Sequence, residues 1–216
     1  MKVNREMVTQ AGLKLLNDVG LEQLTLRRLG AELKVQAATI YWHFKSKEEL
    51  IDEMATTVLA EGADNLIPRR NSSDWKVWAS TFGEGLRKTL LAYRDGSRMV
   101  SGTRLTNTEY LKTTERIGAQ IFASGFSVRA AVVVLSTIYN YTLSFVAEEQ
   151  AVFPTPGKRS PCYSIEARNA RLDPAVFPFH RQTSSILFDH FDRRFREGLK
   201  LILQGAKPGR RSSTLQ

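Results

Sequence analysis

Cysteine is almost absent from this sequence, since Cys162 is the single thiol in 216 residues. One cysteine excludes an internal disulfide and a cysteine-based zinc site, and it fits the reducing environment of the cytoplasm. The first residues form no apolar segment of signal-peptide length, and no later apolar run is expected to cross a bilayer. We therefore expect a cytoplasmic protein without a membrane partner.

Motifs for catalysis are lacking as well. The sequence contains no phosphate-binding glycine loop and no nucleophile, base and acid in a known catalytic pattern. Its cysteine and histidine residues do not recur at metal-ligand spacing. We therefore expect no enzyme, no catalytic residue, no metal site and no cofactor. Catalysis in an apolar core cavity is the weaker alternative.

Positive charge predominates, because 31 lysine and arginine residues outnumber 22 acidic residues and give a net charge of +9. This excess favours a polyanionic partner such as DNA, although it does not identify one. Strand-like alternation is missing, whereas apolar residues recur at helical spacing, as in Met7, Ala11, Leu15 and Val19. The sequence therefore predicts an all-α fold.

A helix–turn–helix pattern follows Thr25, which can cap a helix with inward-facing leucines. A tight turn at Lys34 leads to a third helix over residues 37–44. Lysine costs about 1 kcal/mol there if its φ is positive, so the turn is expected to differ slightly from the usual glycine-containing one. Units of this size place their second helix in the DNA major groove. Ser46 and Glu49 form a capping box that opens a fourth, connecting helix.

The rest of the chain is predicted to form further helices with one long interruption. Thr106 and Glu109 form a second capping box before a helix, and a mostly apolar helix covers residues 128–150. Prolines break the segment 151–181. We expect a mobile loop there, with at most a short helix over residues 164–171.

The segment TLRRLGAELKVQAATIYWHFKSKEEL (residues 25–50) resembles the DNA-binding domain of the tetracycline repressor (TetR) family. The similarity extends into the rest of the chain. LLAYRDGSRMVSGTRLTNTEY (90–110), ASGFS (123–127) and YTLSFVAEEQ (141–150) look like the core domain of the tetracycline repressors themselves.

This resemblance implies an Ω-shaped homodimer with a three-helix DNA-binding domain at residues 1–46 and a helical regulatory core at 47–206. The core would bind a small molecule and dimerise through a four-helix bundle made by the helices 128–150 and 183–204 of both subunits. Ligand binding would move the connecting helix and spread the two recognition helices, which must sit roughly 34–36 Å apart to read a palindromic operator. Residues 207–216 would form a disordered basic tail.

The resemblance also implies which residues touch DNA. An arginine such as Arg27 can bind guanine with both arms of its guanidinium group, and Tyr41, His43 and Lys47 match phosphate-contacting positions. Alternatively, Tyr41 and Trp42 are core aromatics and Arg27 is a solvated charge. The predicted DNA-binding residues are Arg27, Gln36, Ala37, Ala38, Thr39, Tyr41, Trp42, His43 and Lys47.

The operator is expected to differ from that of the tetracycline repressors. Ala37 and Ala38 stand where those repressors carry a Gln-Pro pair. Without the glutamine amide a base contact is lost, so the preferred DNA sequence changes.

The ligand site departs more strongly. Val100 occupies the position of a magnesium-ligating histidine, and an aliphatic side chain cannot bind a metal. Phe82 and Asn140 replace polar drug contacts, so magnesium-tetracycline is not expected. We expect a small hydrophobic effector instead. Alternatively, several of these residues simply fill the core. The predicted ligand-binding residues are Phe82, Leu86, Val100, Thr103, Arg104, Leu105, Arg116, Ile117, Ile138, Asn140, Tyr141 and Glu148.

The sequence thus predicts a ligand-responsive transcriptional repressor that binds a palindromic operator as a homodimer and is released by a small hydrophobic effector. Control of antibiotic resistance or efflux follows from the resemblance alone. The alternatives are a DNA-binding regulator of the same fold that senses no effector, and an activator.

Overall fold

The computed structural model describes residues 3–155 and 157–209, and this part of the chain contains helices and loops but no strand. The prediction of an all-α fold is confirmed. Most of the predicted tail, residues 210–216, lies outside the described residues. The α-helices are α1 (Arg5–Val19), α2 (Leu26–Glu32), α3 (Ala37–His43), α4 (Lys47–Glu61), α5 (Trp75–Leu91), α6 (Gly96–Val100), α7 (Glu109–Ala123), α8 (Val128–Val152), α9 (Ile165–Ala170), α10 (Pro178–Phe188) and α11 (Phe191–Gly205).

The first three helices enclose a small apolar core that continues into α4. Leu29 and Phe44 are both 0% exposed within it. Arg5 of α1 fixes α4, because its Nη1 lies 3.0 Å from Glu49 Oε1 and its Nε lies 3.0 Å from Glu53 Oε2. The same guanidinium group stands 4.1 Å from the centre of the Phe44 ring. These contacts make the three-helix domain and the start of α4 one packed unit.

Helix α8 is the centre of the larger domain. It packs against α5, α6, α7 and α11 and buries Ile138 and Val146 completely. In the described part of the chain it is the one helix long and apolar enough to cross a membrane, with a mean hydropathy of 1.6 in its most apolar window. No such run was expected from the sequence. Burial against four neighbouring helices accounts for part of its apolar composition, since 33% of that window is buried.

Arg87 of α5 ties α5 to α8 and α11. It donates to both carboxylate oxygens of Glu149, at 2.8 and 2.6 Å, and to Asp192 Oδ1 at 2.7 Å. Burial lowers the pKa of Arg87, but its hydrogen bonds to Glu149 and Asp192 outweigh burial and leave that pKa raised. The guanidinium also lies 5.3 Å from the ring of Phe195. This charged and aromatic cluster holds the three helices together.

The segment 151–181 contains more helix than predicted. Helix α9 lies within the predicted short helix, but α10 begins inside the expected loop, at Pro178, because the fixed φ of proline suits the first helical turn. The prediction that one last helix spans residues 183–204 is wrong. This segment is divided into α10 and α11, since His190 adopts a left-handed φ of 53° that interrupts the helix.

The two predicted capping boxes have different outcomes. Ser46 Oγ accepts from Glu49 N at 3.2 Å and starts α4 as predicted, although the Glu49 carboxylate accepts from the residue before the cap. The second box is wrong, because α7 begins at Glu109 and Asn107 Oδ1 accepts from the N–H of Glu109 at 3.0 Å. Thr106 instead joins α4 through its backbone N–H.

Candidate nucleic-acid interface and ligand cavity

Helices α2 and α3 form a tight helix–turn–helix unit. Thr25 Oγ1 accepts from Arg28 N at 3.2 Å and starts α2, as predicted. Gly30 allows close approach of the two helices, because a Cβ there would lie 3.2 Å from the backbone oxygen of Val35. Lys34 adopts a φ of 55°, in the left-handed region. Lysine therefore takes the strained backbone conformation that glycine often adopts in such a turn.

Helix α3 presents large aromatic side chains to solvent. Trp42 is 76% exposed and Tyr41 is 49% exposed, whereas aromatic residues are usually buried. The alternative that this pair fills the core is therefore wrong. Gln36 and Ala38 are exposed near the start of α3, and Arg27 is exposed on α2. The remaining predicted contacts on α3, Ala37 and Thr39, are half-buried.

Two of the predicted phosphate-contacting residues make contacts within the protein. His43 Nε2 lies 3.1 Å from the carbonyl oxygen of Val3, and the His43 ring stands edge-on, 4.8 Å from the Trp42 ring. Lys47 Nζ donates to the carbonyl oxygen of Leu21 at 2.6 Å. Neither backbone contact was expected from the sequence, and the DNA contacts of His43 and Lys47 stay predictions.

A cavity of about 430 Å³ opens between α4, α5, α7, α8 and the loop after α6. Its walls are aliphatic, aromatic or hydroxyl-bearing, and no lining side chain is charged. A ligand in this space must rely on apolar contacts and on hydrogen bonds with neutral groups. The lining residues are Leu59, Phe82, Thr103, Leu105, Tyr110, Thr114, Ile117, Val132, Leu135, Ser136 and Tyr139.

Hydroxyl groups supply the polar character of this cavity. Thr103 and Ser136 donate to carbonyl oxygens three residues earlier, at 2.8 and 3.2 Å, so their lone pairs remain able to accept. Burial raises the pKa of the Tyr110 phenol, and the nearby Tyr139 raises it further. Burial also raises the pKa of Tyr139. Both phenols therefore keep their protons at neutral pH and can donate.

The cavity gathers only part of the predicted ligand-binding set, namely Phe82, Thr103, Leu105 and Ile117. Leu86, Val100 and Ile138 are at most 1% exposed, which fits the alternative that they fill the core. Tyr141 Oη donates to the carbonyl oxygen of Phe195 at 3.0 Å. Arg104, Arg116, Asn140 and Glu148 are exposed and do not line the cavity. The ligand contacts of these residues stay predictions.

Ile117 was predicted to bind the ligand, but the stripes on α7 and α8 to which it and its neighbours belong were missed in the sequence. Tyr110, Thr114 and Ile117 follow each other at helical spacing on α7, and Val132, Leu135, Ser136 and Tyr139 do so on α8. The periodicity was available as a signal. It did not reveal that the two stripes face each other across an open space.

The loop between α6 and α7 connects the cavity to α4. Arg104, whose two neighbours line the cavity, donates from its backbone N to Asp52 Oδ1 at 2.9 Å and from Nε to Asp52 Oδ2 at 3.1 Å. The backbone N of Thr106 donates to Thr56 Oγ1 at 3.0 Å. One wall of the cavity is therefore hydrogen-bonded to the helix that leads into the DNA-binding domain.

Two family models match the chain. The model described as "Bacterial regulatory proteins, tetR family" covers residues 8–54, and "Tetracyclin repressor-like, C-terminal domain" covers residues 67–208. The chain belongs to the TetR family. The tetracycline repressor protein class A from transposon 1721 of Escherichia coli is 34% identical over 204 residues, which is 94% of this chain and 90% of the relative. The class G repressor of Vibrio anguillarum is 38% identical over 150 residues, or 69% of this chain and 70% of that protein.

Solved structures of TetR-family proteins share the fold. A possible TetR family transcriptional regulator from Streptomyces coelicolor A3(2) has a TM-score of 0.82 at 31% identity, covering 94% of this chain and 98% of that one. TetR (class A) in complex with 5a,6-anhydrotetracycline and magnesium has a TM-score of 0.67 at 30% identity, covering 95% and 98%. This TetR-family chain therefore resembles transcriptional regulators in both sequence and fold.

Within this TetR-family fold, the position that the resemblance matches to a metal-ligating histidine carries no ligating group. Val100 is an aliphatic residue, 1% exposed. The described residues contain no group of three histidine, cysteine, aspartate or glutamate side chains that could hold a metal ion. The neutral cavity offers hydroxyl groups in their place, which bind divalent ions more weakly than carboxylate or imidazole groups do.

Proposed function

We propose that this protein is a ligand-responsive transcriptional repressor that binds a palindromic operator as a homodimer and is released by a small, neutral, hydrophobic effector. The observation that carries the proposal is the hydrogen bonding of the cavity wall to α4, through Arg104 with Asp52 and through Thr106 with Thr56. These bonds give an effector a direct physical route to the DNA-binding domain. The route requires no metal ion.

In this proposal α3 enters the major groove of the operator. The exposure of Trp42 and Tyr41 supports this, because both large side chains are available for contact. Arg27 contributes a base or phosphate contact from α2. Lys47 exchanges its bond with the Leu21 carbonyl for a phosphate oxygen, since a charge-assisted hydrogen bond is the stronger of the two.

Exposed apolar side chains support the homodimer. Val133 of α8 is 55% exposed and Leu201 of α11 is 70% exposed in the single chain. Both border a groove of about 490 Å³ between the start of α8 and the end of α11. A second copy covers this face and completes a four-helix bundle, which removes the apolar surface from water. The two recognition helices can then sit roughly one DNA turn apart, about 34 Å.

Release begins when the effector enters the cavity and displaces the loop that carries Arg104. Because this loop is bonded to Asp52 and Thr56, α4 shifts with it. Arg5 joins α4 to α1, so the DNA-binding domain follows α4. The spacing of the two recognition helices then no longer matches the operator, and the repressor dissociates.

The test is fluorescence anisotropy with labelled DNA from the regions flanking the gene, together with a thermal-shift screen of neutral hydrophobic compounds. We expect a palindromic fragment to bind two subunits, with an affinity that falls steeply as salt is added. Compounds that raise the melting temperature should lower operator affinity. Absence of binding to every flanking fragment at low salt contradicts the repressor, and operator affinity unchanged by every stabilising compound contradicts effector release.

A further inference from the structure

A second cavity lies on the other side of α7 from the proposed effector site. It measures about 420 Å³ and opens between the loop that precedes α5 and the exposed face of α7. We call it the arginine groove, after Arg69 on the loop and Arg116 on α7. Trp78 forms part of its apolar wall, and the amide side chains of Asn71 and Gln120 also line it.

The arginine groove carries uncompensated positive charge. It has no acidic residue in its lining, and neither Arg69 nor Arg116 forms an ion pair with any carboxylate of the described residues. Some other arginines of the core domain are paired, as Arg87 is with Glu149 and Arg104 with Asp52. Two unpaired guanidinium groups on one groove repel each other. An anion bound between them attracts both groups and offsets this repulsion.

The remaining walls restrict the shape of that anion. The Trp78 ring is 4% exposed and held in place by a hydrogen bond from Nε1 to the carbonyl oxygen of Ser72 at 2.8 Å. A fixed indole beside two arginines suits a flat, apolar group attached to a carboxylate. The amides of Asn71 and Gln120 can pair with a neutral polar substituent.

We infer that the arginine groove binds a planar aromatic carboxylate as a second ligand, distinct from the neutral effector. Arg69 and Arg116 hold the carboxylate, and Trp78 packs beside the aromatic ring. Helix α7 is the shared wall, because Thr114 and Ile117 line the effector cavity while Arg116 lines the groove. The inference does not rest on operator binding, and its test contains no DNA.

The test is isothermal titration calorimetry of the full-length protein with 1-naphthoate, and with neutral 1-naphthalenemethanol for comparison. We expect 1-naphthoate to bind more tightly than the alcohol and to lose affinity as salt is raised. Arg69→Gln and Arg116→Gln should each weaken 1-naphthoate about fivefold, and Arg116→Lys should weaken it less. Arg70→Gln is the matched control, because Arg70 is exposed beside Arg69 but does not line the groove.

Three results would overturn the inference. The first is no binding of 1-naphthoate up to about 10 mM, which corresponds to a negligible affinity. The second is equal affinity for the acid and the alcohol. The third is an equal effect of Arg70→Gln and Arg116→Gln. All substituted arginines are exposed, and unchanged melting temperatures of the variants verify that folding is intact.

Discussion

The proposed DNA-reading surface, formed by α2, the turn and α3, and the proposed effector cavity are built in opposite ways. The surface is local, because α2, the turn and α3 follow each other directly, and the helical period alone decides which α3 side chains face outward. The cavity is assembled from distant segments, with Leu59 on one wall and Tyr139 on another. A substitution in one cavity helix can therefore alter which ligand the cavity binds while the DNA-reading unit remains intact. Arg104 and Asp52 join the cavity wall to α4, the helix that leads into the three-helix domain.

The largest expected effect is a difference in folding stability between a core residue and a surface residue of the DNA-reading unit. Phe44→Ala removes a ring that is 0% exposed and should lower the free energy of unfolding by about 3–5 kcal/mol. Trp42→Ala, two residues away, should change that free energy by less than about 0.5 kcal/mol. It should nevertheless weaken operator binding by about 1–3 kcal/mol. Urea unfolding and fluorescence anisotropy measure the two quantities, and similar destabilisation by both variants would contradict the assignment.

The second prediction tests whether the cavity is the effector site. Thr114→Trp puts a large ring into the cavity and should reduce effector affinity more than tenfold, about 1.4 kcal/mol, without changing operator affinity. Glu115→Trp is the matched control, since Glu115 is exposed on the same helix and does not line the cavity. Calorimetry with a compound from the thermal-shift screen supplies the measurement. An effector that binds Thr114→Trp normally must occupy another site.

The third prediction concerns the link between the two regions. Asp52→Asn weakens the contact with Arg104, so the effector should still bind while its effect on operator affinity falls by about 0.5–2 kcal/mol. Asp64→Asn, at an exposed aspartate in the turn after α4, should leave the effect intact. Anisotropy titrations with and without effector give the coupling free energy. Full coupling in Asp52→Asn would show that the signal takes another route.

The smallest expected effect is in the turn of the DNA-reading unit. Lys34 has a φ of 55°, so Lys34→Gly should raise the free energy of unfolding by about 0.5–1 kcal/mol. Lys45→Gly, at an exposed lysine without positive φ, should lower it. Thermal unfolding of the two variants distinguishes these signs. A loss of stability in Lys34→Gly would mean that the lysine side chain contributes more than the backbone strain costs.

Local chemistry accounts for what the sequence predicted of the fold. Thr25 and Ser46 start their helices because each hydroxyl accepts from the N–H three residues later. The break at His190 was not predictable in this way, because left-handed φ in a non-glycine residue depends on the packing around it. The contact of Lys47 with Leu21 was not predictable either, because it joins segments that are distant in sequence.

The cavity was predicted less completely for a geometrical reason. Consecutive residues on a helix point about 100° apart, so Ile117 faces the cavity while Arg116 faces the groove across α7. Val100 has the expected apolar character but lies in the packed core. Which apolar residues line a space and which fill the core depends on how several helices converge. Helical periodicity along a single sequence does not contain that information.

The central claim of the proposed function is that a neutral ligand releases this TetR-family regulator from DNA without a metal ion. The most direct measurement is operator anisotropy with a stabilising neutral compound, in buffer containing EDTA and again in buffer containing magnesium. The account predicts the same loss of operator affinity in both buffers. Release that occurs only with magnesium would contradict it.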